Sequence, residues 1–337
     1  MHIAIVHDDL VQWGGAERIL EGLCEIYPDA PIFTSVIDLE NKEIKKRFGS
    51  KKIITSFLQQ IPGWRSMYKT LLPLYPIALE QFNFDKYDLV VSHTTRFAKS
   101  IITKPQTRHI CYCHTPPRFL WHFSGEKNYG LGEILMTKLR IYDQVSARRV
   151  DYFIAGSENA KRRIKRAYGV DSKIVYPFIE KERFQNVETF DGGYFAIVAR
   201  LNRYKRLDLA EDACKQIDIP LKIISGGLDD SMVVGILAGC KALIIPGIED
   251  FGLAALEAQA LGKPVIAFRE GGCLETVIDG KTGIFFENQT TDSLKKAIIN
   301  LSLKKIKVKD CMDNAERFSK DHFIKNFRQT IASLMYT

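Results

Sequence analysis

No apolar run in this 337-residue sequence approaches the ~20 residues that a bilayer-spanning helix needs. A membrane-spanning segment is therefore not expected. No stretch repeats at the period of a solenoid or propeller. The opening residues Met1 to Val6 lack the basic region of a signal peptide and read as a first strand. Cysteines are few, odd in number at seven, and scattered without disulfide-like pairing, so reduced thiols in a cytosol are expected. Helix-turn-helix, RNP and zinc-finger patterns are absent, which removes nucleic acid as a partner. No G-x-G-x-x-G follows a strand, which argues against a nicotinamide oxidoreductase. What is present is ordinary for a soluble globular protein: 46% hydrophobic and 26% charged residues. The net charge of +8 leaves anionic lipid and phosphorylated substrates as candidate partners.

The length suits two α/β cores better than one. Ile3 to Val6 is a buried strand, and Ala16 to Tyr27 carries apolar residues at helical spacing. Further strands are expected at Leu89 to Val91, His109 to Cys113 and Tyr152 to Ala155. After Pro177 the chain is polar and irregular, and then the alternation restarts. Phe195 to Ala199, Leu221 to Ile224, Ala242 to Ile245, Pro264 to Ala267 and Gly283 to Phe286 are the strands of a second unit. Strands alternating with helices imply parallel sheets covered on both faces. The expected division is residues 1–176 for the first domain and 177–317 for the second, with a final helix at 318–335 that can pack back on the first. Two such domains facing each other would bind ligand in the crevice beyond the carboxyl ends of their strands.

Several chemically distinctive residues of the second half fall just after expected strands. Arg200 and Lys205 offer two cations for phosphate oxygens. Ser225-Gly226-Gly227 follows the strand expected to end at Ile224, and Gly252 lets backbone approach a ligand closely. The helix that starts near Leu253 would aim free N–H groups and its positive end at an anion. Glu249 precedes that helix and Glu257 lies inside it, so one could meet a donor sugar and the other a ribose. Each piece has an ordinary structural reading. Gly14-Gly15 could be a turn, Arg200 and Lys205 surface charges, and His114 a core histidine. Cys111, Cys113 and His114 lack a fourth ligand at zinc spacing. The functional reading rests on the order of the pieces, each at a strand end.

Taken together, these motifs resemble the retaining glycosyltransferases of the GT-B fold, in the large family 4 group. Glu249-Asp250-Phe251-Gly252-Leu253-Ala254-Ala255-Leu256-Glu257 matches that group's E-x7-E signature. Gly14-Gly15-Ala16-Glu17 is similar to its N-terminal glycine loop, and His114-Thr115-Pro116 to its H-x-P element. Arg200 with Lys205 is similar to its phosphate pair, and Gly271-Gly272, Glu275 and Gly280 to Gly283 to its C-terminal landmarks. Thr55 to Leu58, Cys111 to Pro116 and Tyr204 to Arg206 most resemble bacterial mannosyltransferases of surface-polysaccharide assembly. The resemblance implies transfer of a hexose, with mannose the expected sugar, from a nucleotide diphosphate donor such as GDP-mannose. The acceptor would be a glycan or lipid-linked glycan. It implies catalytic roles for His114, Glu249, Arg200 and Lys205. Donor binding would involve Gly14, Gly15, Gly226, Gly227, Phe251, Gly252, Leu253 and Glu257. It also implies that no metal is required. No D-x-D carboxylate pair occurs, so the cations must come from Arg200, Lys205 and the helix N-terminus.

The pattern departs from the family in two respects: Pro117 and His122 stand where other residues are expected after the H-x-P element, and the second domain is short of chain. Only Ser225 to Lys241 separates two successive strands of the second domain, room for one crossover helix, roughly Asp230 to Cys240, and no extra strand. An edge strand is then missing, and the family's 3-2-1-4-5-6 order becomes 2-1-3-4-5. That loss keeps a second function class open, a nucleotide-sugar-binding or scaffold subunit without turnover. A pyridoxal-phosphate sugar phosphorylase is a more remote rival. Finally, basic residues from Lys138 to Arg166 and the aromatic-basic stretch Pro62 to Tyr75 suggest a docking surface for anionic lipid. The expected location is the cytoplasm, peripheral on the inner face of the cell membrane.

Overall fold

The computed structural model describes residues 1–68, 70–123, 131–198, 203–226 and 228–335. Arg200 and Gly227, both expected in the site, lie outside the described residues. The chain divides into two compact units, Met1–Val175 with Ile324–Thr337, and Tyr176–Phe323.

The first unit is built on seven parallel strands: β1 (Ile3–His7), β2 (Ile32–Thr34), β3 (Ile53–Thr55), β4 (Leu89–Thr94), β5 (Arg108–Cys113), β6 (Tyr152–Ala155) and β7 (Ser172–Ile174). Their order is β3-β2-β1-β4-β5-β6-β7, so the order reverses between β1 and β4, the switch point at which open α/β sheets bind ligands. All six residues of β4 are buried, and all of β5 except Arg108. Their apolar runs sit at the centre of a sheet covered on both faces. Beneath β1 and β2, Phe33 meets Phe82, Phe84 and Tyr87 at ring separations of 5.2, 4.8 and 5.8 Å. The Lys320–Met335 helix ends in this unit, where the ring of Phe327 lies 6.2 Å from that of Tyr112.

Among the described residues the second unit has five parallel strands: β8 (Tyr194–Val198), β9 (Leu221–Ile224), β10 (Cys240–Ile245), β11 (Val265–Phe268) and β12 (Gly283–Phe286). Their order, β12-β11-β10-β8-β9, is the 2-1-3-4-5 arrangement expected from the short interval before β10. The Asp230–Gly239 helix occupies that interval, capped by the Asp229 side chain on the Met232 N–H at 2.8 Å. One face of the sheet packs on Leu237, Ala255, Leu256, Phe251 and Phe318. The other packs on Leu209, Ala213, Leu294 and Ile298.

Candidate active site

In the first unit the expected residues gather at the carboxyl ends of β1, β4 and β5. Gly14 is the N-cap of the Gly15–Ile26 helix, in an extended conformation, with its carbonyl accepting from the Arg18 N–H at 3.1 Å. Just before it, the ring of Trp13 lies under the guanidinium of Arg18 at 4.9 Å and that of Arg47 at 4.3 Å. Cation–π stacking of this kind fixes the approach to the glycine loop. His114 follows β5 directly and extends its ladder, its N–H donating to the Thr94 carbonyl at 3.0 Å. Its ring meets buried His93, the two Nε2 atoms 2.6 Å apart.

The turn after β4 is set by a residue that sequence reasoning overlooked. The Asp8 carboxylate, buried just past β1, accepts the backbone N–H groups of Thr95, Arg96, Phe97 and Ala98 at 2.7–2.9 Å. Burial alone would raise its pKa. The Arg96 guanidinium, His7 and those N–H groups outweigh burial and hold it below the ordinary carboxylate range. Arg96 is in turn ion-paired with buried Asp9. Asp8 and Asp9 directly follow a strand whose end lies at the switch point, and that position was the available signal. Under the same turn, Lys99 and Asp143 form a fully buried ion pair, and Asp143 also accepts from Trp121 Nε1 and Tyr168 OH, each at 2.8 Å.

In the second unit the loops after β8, β10 and β11 bring Lys205 and Glu249 together. Lys205 Nζ lies 2.5 Å from Glu249 Oε1, with both side chains 17% exposed. The approach requires glycine at 247, because a Cβ there would stand 2.2 Å from the Tyr204 carbonyl oxygen. Glu249 is held from the other side by a bridge to Gly271, and its carbonyl accepts the Gly272 N–H at 2.9 Å. Gly252 caps the Leu253–Ala260 helix at φ +101°, and a Cβ on it would meet Thr276 Oγ1 at 3.0 Å. Only glycine takes this conformation without strain. The first-turn N–H groups from Leu253 onward begin there. Gly226 lies in the turn after β9 with open space where a Cβ would stand.

Two expected donor contacts have prior commitments. Phe251 is buried, stacked on Tyr176 at 5.5 Å and edge-on to Phe318 at 5.4 Å. Its ring is a core element, so its backbone is the part that can face a ligand. Glu257 is ion-paired with Arg183 at 2.7 Å, and Arg183 also reaches Asp230 at 3.2 Å. Arg183, from the turn Lys181–Phe184, was not anticipated, since nothing in its local sequence marks it. Among the described residues, no cluster of three or more His, Cys, Asp or Glu side chains is arranged to hold a metal ion. A cavity of about 690 Å³ in the first unit, lined by His2, Tyr27, Pro31, Lys52 and Lys86 among others, lies at the amino ends of its strands, away from these residues.

Residues 13–183 match the family model described as Glycosyltransferase Family 4, and residues 222–318 match that of Glycosyl transferases group 1. An uncharacterized glycosyltransferase of Methanocaldococcus jannaschii is 28% identical over 54% of this chain, and the match spans 58% of that protein's length. An alpha-1,3/1,6-mannosyltransferase of Schizosaccharomyces pombe is 24% identical over 83% of this chain and 70% of its own. Among solved structures, Anabaena HepE in complex with UDP and glucose superimposes with a TM-score of 0.71 at 16% identity, covering 99% of this chain and 100% of that one. The shared architecture is the GT-B fold, and by the match across its first half the chain belongs to glycosyltransferase family 4.

Proposed function

We propose that the chain is a retaining glycosyltransferase that moves a hexose, with mannose the favoured sugar, from a nucleotide diphosphate donor to a glycan or lipid-linked glycan. The observation that carries this reading is the contact of Lys205 with Glu249 beside the glycine-capped helix start at Gly252. One cation, one carboxylate and a helix N-terminus at the ends of parallel strands are what a sugar diphosphate needs. The diphosphate would take Lys205, Arg200 and the N–H groups after Gly252, while Glu249 would accept from sugar hydroxyls. Glu257 would accept from the ribose hydroxyls, oriented by Arg183.

The acceptor hydroxyl oxygen attacks the anomeric carbon on the face from which the diphosphate leaves. The bond from that carbon to the diphosphate oxygen breaks, and the hydroxyl proton passes to the departing phosphate oxygen. The motif resemblance supports a catalytic role for His114 and an acceptor-binding role for the first unit. The protein supplies the positive charge, with no metal in the step. Mannose is favoured by the mannosyltransferase from fission yeast, whereas HepE binds UDP and glucose. The sequence motifs tip the choice to mannose.

Thermal-shift screening against GDP-mannose, UDP-glucose and other nucleotide sugars tests the donor, since a ligand that binds the folded state raises its apparent stability. Radiolabel transfer or donor hydrolysis then tests turnover, with excess chelator in a parallel arm. GDP-mannose should give the largest shift, and transfer should survive chelation. Binding without any turnover would instead identify a nucleotide-sugar-binding subunit. Chelator inhibition reversed by manganese would overturn the metal-free step.

A further inference from the structure

An open hollow of about 430 Å³ lies in the first unit between β3 and the chain that leads into β4. No residue of the loops after β1, β4 or β5 lines it, so it stands apart from the expected site residues of this unit. Its floor is apolar and largely aromatic. Parallel register sets Phe33 of β2 opposite Ile54 of β3, which puts both side chains on one face of the sheet. Phe33 meets Phe82 and Tyr87 at ring separations of 5.2 and 5.8 Å, and all three line the hollow. Half-buried Phe57, which opens the helical turn Phe57–Gln60, adds a further ring.

Above that floor the polar lining is carboxamide. Gln60, Gln81 and Asn83 all line the hollow and all are exposed. Asn83 is tied locally, its Oδ1 accepting the Asp85 N–H at 2.7 Å and its Nδ2 donating to the Asp85 carboxylate at 3.3 Å. The adjacent Gln59 is tied as well, its amide engaged by the Ile37 N–H at 2.7 Å and the Ile37 carbonyl at 3.2 Å. Gln60 and Gln81 differ, since neither side-chain amide is hydrogen-bonded among the described residues. Lys86 is the single charged residue among the described residues of the lining, and its Nζ lies over the Tyr87 ring at 5.4 Å. A carboxamide donates from nitrogen and accepts at oxygen without carrying charge. Two of them over an aromatic floor suit a neutral ligand with hydroxyls on adjacent carbons and an apolar face. A phosphate-bearing ligand would need more than one cation. The volume falls in the range of ~300–1,000 Å³ typical of small-molecule sites.

We propose that this hollow binds one pyranose unit of a neutral glycan. Gln60 and Gln81 hydrogen-bond its vicinal hydroxyls, and Phe57 with the aromatic floor covers the C–H face of its ring. The site stands on its own lining and holds whether or not the chain transfers a sugar.

Methyl spectra of isoleucine-labelled protein read the site directly, because Ile54 lines it and its signal is assigned by its loss in Ile54→Val. The probes are mannobiose, maltotriose, cellobiose and galactobiose, with inorganic phosphate as the anionic control. At least one disaccharide or trisaccharide should shift the Ile54 methyl, saturate at millimolar concentration, and do so equally in high salt. Gln60→Leu combined with Gln81→Leu should weaken that binding about thirtyfold, the worth of two neutral hydrogen bonds. Thermal stability should not change, since both amides are exposed and tie nothing down. Phe57→Ala should weaken the binding as well. No Ile54 shift with any of the four saccharides would overturn the site. A shift that persists undiminished in the double glutamine variant would overturn it too, as would a shift by phosphate in place of saccharide. Saccharide binding here without any transfer would count against the proposed function alone.

Discussion

Lys205 and Glu249 carry opposite assignments, one to phosphate and one to sugar, yet they neutralise each other at 2.5 Å. Glu257 is likewise balanced by Arg183. A pair this little exposed avoids the cost of leaving either charge alone in a partly dry site. An arriving diphosphate would offer Lys205 a second anionic partner and release Glu249 toward sugar hydroxyls. The two carboxylates should therefore respond differently. Lys205→Ala removes a charge-assisted contact and should weaken nucleotide-sugar binding by about 1.5–3 kcal/mol. Glu249→Gln should spare the free nucleoside diphosphate and weaken the intact nucleotide sugar, while Glu257→Gln should weaken both. Titration calorimetry with nucleotide and nucleotide sugar separates these patterns, and identical behaviour of the two glutamine variants would refute the division of roles.

At the scale of elements, the buried strands β1, β4, β5 and β10 were legible because three or more consecutive apolar residues leave little else for the chain to do. The missing edge strand was legible too, from the length of chain between β9 and β10. The three-residue strands β2, β3 and β7 were not fully anticipated, because so short a run shows no period and is fixed by its neighbours. The site divides the same way. Residues set by a local motif, such as Gly252 and Glu249, could be found. The His7–His93 contact joins positions 86 apart and exists only through strand register. The buried Lys99–Asp143 pair is equally non-local, linking the turn after β4 to the Leu131–Ser146 helix. Removing one partner strands a charge in the core, so Lys99→Met or Asp143→Asn should each cost about 3–5 kcal/mol in urea unfolding. Lys99→Met with Asp143→Leu should recover only part of that loss. Asp143 also receives Trp121 and Tyr168, and the double variant leaves those two donors without their acceptor. A double variant no more stable than the singles would mean that the charge pair itself is not what the core depends on.

On the scale of the whole molecule, the net charge of +8 is not spread evenly in its consequences. Part of the basic region of the first unit is already spoken for. Arg140 pairs with Glu133, Arg149 with Glu80 and Lys161 with Asp171, while Arg163 turns inward to Thr115 and Phe123. Trp64, Leu71 and Tyr75 of the earlier aromatic stretch are core residues rather than surface ones. What reaches solvent is Lys138, Arg148, Arg162, Lys165 and Arg166. On the Leu131–Ser146 helix, Ile134, Ile141 and Val145 are each more than half exposed and share one face by their helical spacing. An exposed apolar stripe on a unit that also presents exposed lysine and arginine suits an anionic membrane surface, and we propose that this unit docks there to meet a lipid-linked acceptor. Among the described residues no helix is long and apolar enough to cross a membrane. Each basic residue near such a surface is worth about 1 kcal/mol, and salt screens it. Co-sedimentation should therefore require vesicles containing anionic lipid and fade in high salt. It should drop when Arg162, Lys165 and Arg166 become Ser, and drop further when Ile134 and Ile141 become Ser. Equal recovery on neutral and anionic vesicles would show that these basic residues are only a solvated face.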